Sequence, residues 1–288
     1  MRPILLTILI ALLTCAASAQ RIVFDVLDRN IIQQRVGEYA GNDTQREATL
    51  KQLFAEAGCP DLAEQRVKGL KQPNLICTLP GEIPQTIIVG AHFDKVNRGA
   101  GVVDNWSGAS LLPSLLQSVA GVPRHHTFVF IGFAGEEQGL VGSKFYVKHM
   151  TPEQKANLRA MINLDTLGLG PTEAWVSRAD PRLVRALAAV AQQMKLPVSG
   201  MNMDNVGTSD SESFAKLKVP RITIHSETTQ TSHIPHSPDD DLKSLHFDDY
   251  YDSYHLVAAY LAYLDVVLPT QAPVAGKAVE REEVKKSR

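Results

Sequence analysis

Two glutamates stand side by side, Glu136 and Glu137, directly after the run FVFIGFAG. Neighbouring carboxylates repel, and burying them is costly unless a cation or shared protons compensate. A glutamate pair taken alone is most simply a solvated loop, because glutamate is rarely buried. This pair follows β-formers with no polar alternation, which read as a strand covered on both faces. Other cation-seeking groups recur where strands are expected to end: His92 after QTIIVGA, and Asp165 after the strand at 159–164. Asp104 opens a helix after a Gly-containing loop, and His236 lies in a polar loop after a strand ending at His225. Imidazole and carboxylate without thiolate suit zinc in a catalytic setting. Two ions close together need a bridging ligand, and a carboxylate with two oxygens supplies one.

These residues must be positioned by alternating elements. Helical spacing of apolar residues covers 24–58, broken at Gly41-Asn42-Asp43, with Gly58 as stop signal. The segment 59–72 carries no clear pattern. Strands are expected at 74–79, 85–91, 125–133, 159–164, 173–176 and 220–225. Helices are expected at 109–119, 137–149, 152–157, 180–195, 209–217 and 246–268. Pro113 falls early enough in its helix to be tolerated, and Asp180-Pro181 reads as N-cap and N1. Strands alternating with helices argue for one α/β domain whose mostly parallel, mixed central sheet has helices on both faces. All the strand-end groups would then gather at the carboxyl edge, where open sheets of this kind place ligands.

The other histidines divide by position. His225 and His233 are alternatives to His236 as the last ligand. His125 and His126 begin a strand on the opposite edge and are expected at the surface. His149, His246 and His255 are helix residues without motif context.

Composition bounds the reading further. The chain has 288 residues, 44% hydrophobic and 21% charged, which suits a globular domain. A net charge of -2 gives no reason to expect nucleic acid or an anionic membrane as partner. Residues 1–19 have a basic start, an apolar core and Ala17-Ser18-Ala19 before Gln20, so they read as a cleavable signal peptide to a secreted or periplasmic location. Their apolar run is too short for a good membrane span, and Cys15 after Thr14 fits a lipid-attachment site poorly. The folded unit is then expected at 20–268. From 269 onward the chain lacks large apolar residues and reads as a disordered tail. Cys59 and Cys77 remain in the exported chain, which suggests one disulfide between them.

Over roughly residues 73–268 the chain resembles the secreted di-zinc aminopeptidases of the leucyl aminopeptidase and aminopeptidase Y type. Their fold also carries the peptidase domain of glutamate carboxypeptidase II. The resemblance rests on AHFD (91–94), GVVDNWSGAS (101–110), GEEQGLVGS (135–143), INLDTLG (162–168) and HSPDDDL (236–242), in the family's order. It implies the zinc-exopeptidase, phosphorylase/hydrolase-like fold and two Zn²⁺ ions. Asp104 would bridge them, with His92 and Asp165 completing one site and Glu137 and His236 the other. Glu136 would be the general base, and Asp94 would orient the His92 imidazole. Ser237-Pro238-Asp239 after His236 matches the family pattern and favours it over the other histidines. Ser209-Asp210-Ser211 departs from a Ser-Asp-His triplet found in many relatives, which puts the substrate preference in doubt.

The implied activity is release of the N-terminal residue from peptide substrates, by a monomer. Two alternatives stand beside it. A glutaminyl cyclase-like acyl transfer uses a related fold with one zinc, and retention of both His92 and Asp165 argues against it. A catalytically inactive binding domain would have lost ligands or the base, and none is lost.

Overall fold

The computed structural model describes residues 22–202, 204 and 207–270. The signal-peptide and lipidation readings, and the tail beyond Thr270, lie outside these residues. Within them the elements run α1 (Arg29–Gly37), α2 (Asp43–Glu56), β1 (Leu62–Gln65), β2 (Asn74–Leu79), β3 (Ile83–His92), α3 (Ser107–Ala120) and β4 (His126–Phe133). They continue with α4 (Val141–His149), α5 (Pro152–Asn157), β5 (Leu158–Leu164), β6 (Thr172–Trp175), α6 (Pro181–Met194), β7 (Val198–Met201), β8 (Arg221–His225) and α7 (Phe247–Val267).

The strands form one sheet in the order β1-β2-β4-β3-β5-β8-β6-β7. The centre, β4-β3-β5-β8, is parallel, with β2 and β6 running antiparallel on either side of it. Period-two alternation divides its side chains between two cores. Ile87, Val89, Phe128, Phe130 and Ile162 face α1, α2, α3, α6 and α7. Ile88, Val129, Ile131, Phe133 and Met161 face Tyr146 and Met150 at α4 and Phe214 in a 3-10 segment. Each fully buried side chain of this size stabilises by about 1.5–3 kcal/mol. The two apolar faces thus fix which way each strand lies, and with it which residues emerge at the carboxyl edge.

The helix α3 is buried almost all round, and its serines make that possible. Ser110 and Ser118 hydroxyls pair with the Tyr250 and Tyr254 hydroxyls of α7 at 2.9 and 2.8 Å. Ser114 accepts from Arg35 of α1 at 2.9 Å. The disulfide Cys59–Cys77 joins the segment after α2 to β2, with Cα atoms 6.0 Å apart.

Several expectations are corrected. Helix α1 starts at Arg29, not residue 24, because Asp28 caps it by accepting from the Asn30 N–H at 2.7 Å. The helix expected from Glu137 begins only at Val141. Gly135, Gly139 and Leu140 all have positive φ, which an α-helix cannot contain. Pro113 sits in the middle of α3, not its first turn. The segment Asp210–Leu217 is 3-10 rather than α. The short strands β1 and β7 were not expected. Each is four residues long with half-exposed side chains, so neither carries an apolar run. His126 is buried rather than on the surface: its ring lies against Asp265 of α7.

Candidate active site

The carboxyl ends of β3, β4, β5 and β8 deliver the site. His92 is the last residue of β3, and Asp165 directly follows β5. The Asp165 N–H donates to Ile224 O at 3.0 Å, which ties its backbone to β8. Glu136 and Glu137 lie in the turn after β4, and Asp104 in a wide turn, Val102–Trp106, that leads into α3. His236 arrives on the loop after β8, itself with a φ of 58°.

The structure brings together His92, Asp104, Glu136, Glu137, Asp165 and His236. His92 Nε2 lies 3.2 Å from Asp104 Oδ1 and 3.4 Å from Asp165 Oδ1. His236 Nε2 lies 3.1 Å from Asp104 Oδ2 and 2.9 Å from Glu137 Oε2. Asp104 therefore presents one oxygen to each of two clusters, His92–Asp104–Asp165 and Asp104–Glu137–His236. Glu136 has an oxygen within reach of His92 and Glu137 as well.

Donor atoms on a tetrahedral zinc, about 2.0–2.1 Å from the metal, stand roughly 3.3 Å apart. The imidazole–carboxylate separations here are close to that spacing. Glu137 Oε1 is buried without a hydrogen-bond partner, as suits an atom whose partner is a cation. The donor set of imidazole and carboxylate also fits zinc. On these observations the residues fit two divalent ions.

The electrostatics point the same way. Burial pushes Glu136 up to about 9, with Asp210, Asp165 and Asp104 adding to the rise and His92 opposing it. Burial also works to raise Asp104, yet the His236 and His92 imidazoles hold it well below the usual carboxylate range. Hydrogen bonds to Asp104 and Glu137 draw His236 up to about 10. Protons and metal ions compete for these same atoms. Crowded acids that draw protons onto two histidines would accept divalent charge in their place.

A set of buried polar groups holds the loops in place. The Asp94 carboxylate accepts the Glu136 and Glu137 backbone N–H groups at 3.0 and 3.2 Å. The same carboxylate stands 3.6 Å from His92 Nδ1, while the Asp94 carbonyl is nearer at 3.3 Å. Asp94 thus engages the glutamate turn more closely than the imidazole. Asp240 accepts the Val103 and Asp104 N–H groups at 2.7 and 3.2 Å, linking the His236 loop to the Asp104 turn. Arg46, fully buried on α2, donates to the carbonyls of Ala40, Phe93, Ala100 and Gly101. Gly99 and Gly101 have φ of 70° and 65°. A Cβ at Gly99 would meet Ser237 O at 2.2 Å, so the two loops approach as closely as they do only because this residue has no side chain.

Sequence reading missed Arg46 and Asp240. Arg46 lies in an ordinary amphipathic helix far from any motif. Asp240 sits inside HSPDDDL, where three consecutive acids give no sign of which one turns inward. His225, weighed in the sequence only as an alternative ligand to His236, and Glu227, not singled out, both line the cavity of 260 Å³ together with His92, Asp104, Glu136, Asp165, Trp175 and His236. His233 is not among the residues lining it.

Comparison with known proteins agrees with this architecture. Aminopeptidase YwaD of Bacillus subtilis is 27% identical over 210 residues, which are 70% of this chain and 44% of that protein. LapA of Legionella pneumophila superposes with a TM-score of 0.69 at 22% identity, over 82% of this chain and 72% of that one. A glutaminyl cyclase from an Acidobacteriales bacterium superposes with a TM-score of 0.68 at 16% identity, over 82% and 93%. Likenesses at such identities concern the fold. This chain spans between 34% and 52% of the length of three curated relatives that it matches. The model of peptidase family M28 matches residues 74–261, a span that holds all seven candidate residues from His92 to His236, and the chain belongs to that family.

Proposed function

We propose that the protein is a zinc-dependent aminopeptidase that hydrolyses the first peptide bond of peptides with a free N-terminus. The observation that carries the reading is Asp104, whose two oxygens face His92 and His236 in separate clusters. Asp104 would bridge two Zn²⁺ ions, with His92 and Asp165 on one and Glu137 and His236 on the other. When bound, the ions would act as Lewis acids and lower the pKa of water. Glu136, free of the bridging arrangement and beside it, takes the proton of the attacking water and later gives it to the leaving amine. Asp94 holds the glutamate turn so that the two adjacent carboxylates keep different roles. Asp165 and His92, anchored by strand ends, keep their cluster rigid. The disulfide supports action in an oxidising compartment after export.

The likeness to a glutaminyl cyclase along 93% of its length supports a second reading, acyl transfer within an N-terminal glutaminyl residue. One assay separates the two. A panel of aminoacyl-p-nitroanilides and a peptide with N-terminal glutamine are incubated with the protein, with and without a chelator. Nitroaniline release that the chelator abolishes and zinc restores supports the aminopeptidase. Loss of ammonia from the glutaminyl peptide, with no residue released from any substrate, would replace it with the cyclase reading.

A further inference from the structure

Buried polar atoms without a partner are distributed unevenly in this protein. Those near the carboxyl edge are mostly acceptors: Glu137 Oε1, Asn163 Oδ1, Glu173 Oε2, Glu227 Oε1 and both oxygens of Asp210. One atom there is different, His225 Nε2.

His225 ends β8 and is 3% exposed. Its Nδ1 accepts the backbone N–H of Glu227 at 3.2 Å. A ring nitrogen that accepts an N–H carries no proton, so in the neutral imidazole the proton is on Nε2. Burial lowers the pKa of this ring to about 4, against weaker opposition from Asp165, so the neutral form holds at neutral pH. Nε2 is therefore an N–H donor with no lone pair to offer a cation. That separates His225 from His92 and His236, whose Nε2 atoms face carboxylates. The ring lines the cavity that Glu136, Asp104 and Asp165 also line. A buried donor without a partner is costly unless a ligand supplies the acceptor.

We propose that His225 is a catalytic residue whose Nε2–H hydrogen-bonds to the scissile carbonyl oxygen of the substrate and stabilises the negative charge that develops on it. The inference rests on the peptide-hydrolysis reading given above. As the water oxygen bonds to the carbonyl carbon, its proton passes to Glu136 and the carbonyl π pair moves onto oxygen. Nε2–H donates to that oxygen. The pair then returns, the C–N bond breaks, and Glu136 delivers the proton to the leaving nitrogen. His225 keeps its own proton throughout, and its donor is already in place before charge appears.

The test compares wild type, His225→Leu and His225→Gln as zinc-loaded proteins on the best aminoacyl-p-nitroanilide. Leucine removes the donor, whereas the glutamine amide can place an N–H near the position of Nε2. Loss of one such donor costs about 10²–10³-fold in kcat. We expect that loss in His225→Leu, with KM within about threefold, unchanged zinc content, and at least about tenfold recovery in His225→Gln. An α-aminoboronic acid, which becomes tetrahedral on binding, should bind the leucine variant at least about tenfold more weakly, while the free amino acid product binds both alike. A leucine variant that keeps kcat within about threefold overturns the proposal alone, as does loss of zinc from both variants, which would make His225 a ligand. If His225→Leu does not fold, ¹⁵N NMR of the wild-type ring decides, and a proton on Nδ1 rather than Nε2 overturns the assignment. Wild-type protein that hydrolyses none of the panel overturns the peptidase reading and this proposal with it.

Discussion

Two edges of one sheet place histidine beside aspartate, and the two edges settle their charges differently. At the amino edge His126 and Asp265 form a closed clip. Asp265 accepts the His125 and His126 backbone N–H groups at 2.9 and 2.7 Å and lies 3.1 Å from the His126 ring. One carboxylate has donors for both its oxygens, and the pair fastens the start of β4 to α7. At the carboxyl edge His92 faces Asp104 and Asp165, while His236 shares Asp104 with Glu137. Acidic oxygens there outnumber the donors that reach them. The same residue types make a fastener where each carboxylate oxygen meets a donor, and clusters suited to a cation where the oxygens outnumber the donors. Cavity size alone does not mark the candidate site. The groove lined by Leu158, Arg159, Leu183 and Leu264 measures 740 Å³, against 260 Å³ at the carboxyl edge.

The largest test of this contrast is chemical. Glu136→Gln should keep zinc and fold normally yet lose about 10²–10⁴-fold in kcat, the usual share of general-base catalysis. Glu137→Gln should lose zinc from one site. Metal stoichiometry and kcat on both purified variants check this. Zinc lost from the Glu136 variant but kept in the Glu137 variant would exchange the two roles.

Next in size is the support beneath the carboxyl edge. Arg46→Met leaves the carbonyls of Phe93, Ala100 and Gly101 without this donor. It should cost about 3 kcal/mol in chemical denaturation. Zinc affinity should fall too, because the loops that carry Asp94 and Asp104 lose a common anchor. Stability lost with zinc affinity unchanged would show that the loops hold their shape without Arg46.

The disulfide offers a control away from both edges. Cys59→Ser/Cys77→Ser opens a crosslink with a sequence separation of 18 and should destabilise by about 3 kcal/mol in the chain-entropy model. Zinc content and kcat of the folded fraction should not change. Mass spectrometry of the unreduced wild type should find no free thiol at either position.

The smallest effect belongs to the amino-edge clip. Burial opposes ionisation of Asp265, but His126 and the two backbone donors outweigh it and hold its carboxyl below the ordinary 3.8. A depressed carboxyl contributes stability that is present above the unfolded value and is lost as pH falls through the folded one. Asp265→Asn should therefore cost about 1 kcal/mol at neutral pH and flatten the loss of stability below about pH 4. Zinc content should stay at the wild-type level. Loss of zinc would mean that the edges are coupled and the contrast between them is false.

The sequence alone determined much of this protein. The β-former segments at 85–91, 125–133 and 159–164 read as strands, and each led to a ligand type: His92, Glu136 after Ala134-Gly135, and Asp165. Their order with the intervening helices brought His92, Glu136, Glu137 and Asp165 to one edge before any coordinates. The tertiary structure alone decided which groups close the site around them. Arg46 and Asp240 act through backbone carbonyls and N–H groups of distant loops, and such partners leave no periodicity in the chain. His126 looked like a surface residue until α7 brought Asp265 over it. Glu136 and Glu137 were expected to enter a helix at once, but three left-handed residues delay α4 and keep the pair in a turn held by Asp94. The character of His225 depended on one backbone N–H two residues away. Local pattern reports which faces are apolar and where runs end. The pairing of each buried polar atom depends on contacts far apart in sequence, and only the folded chain decides it.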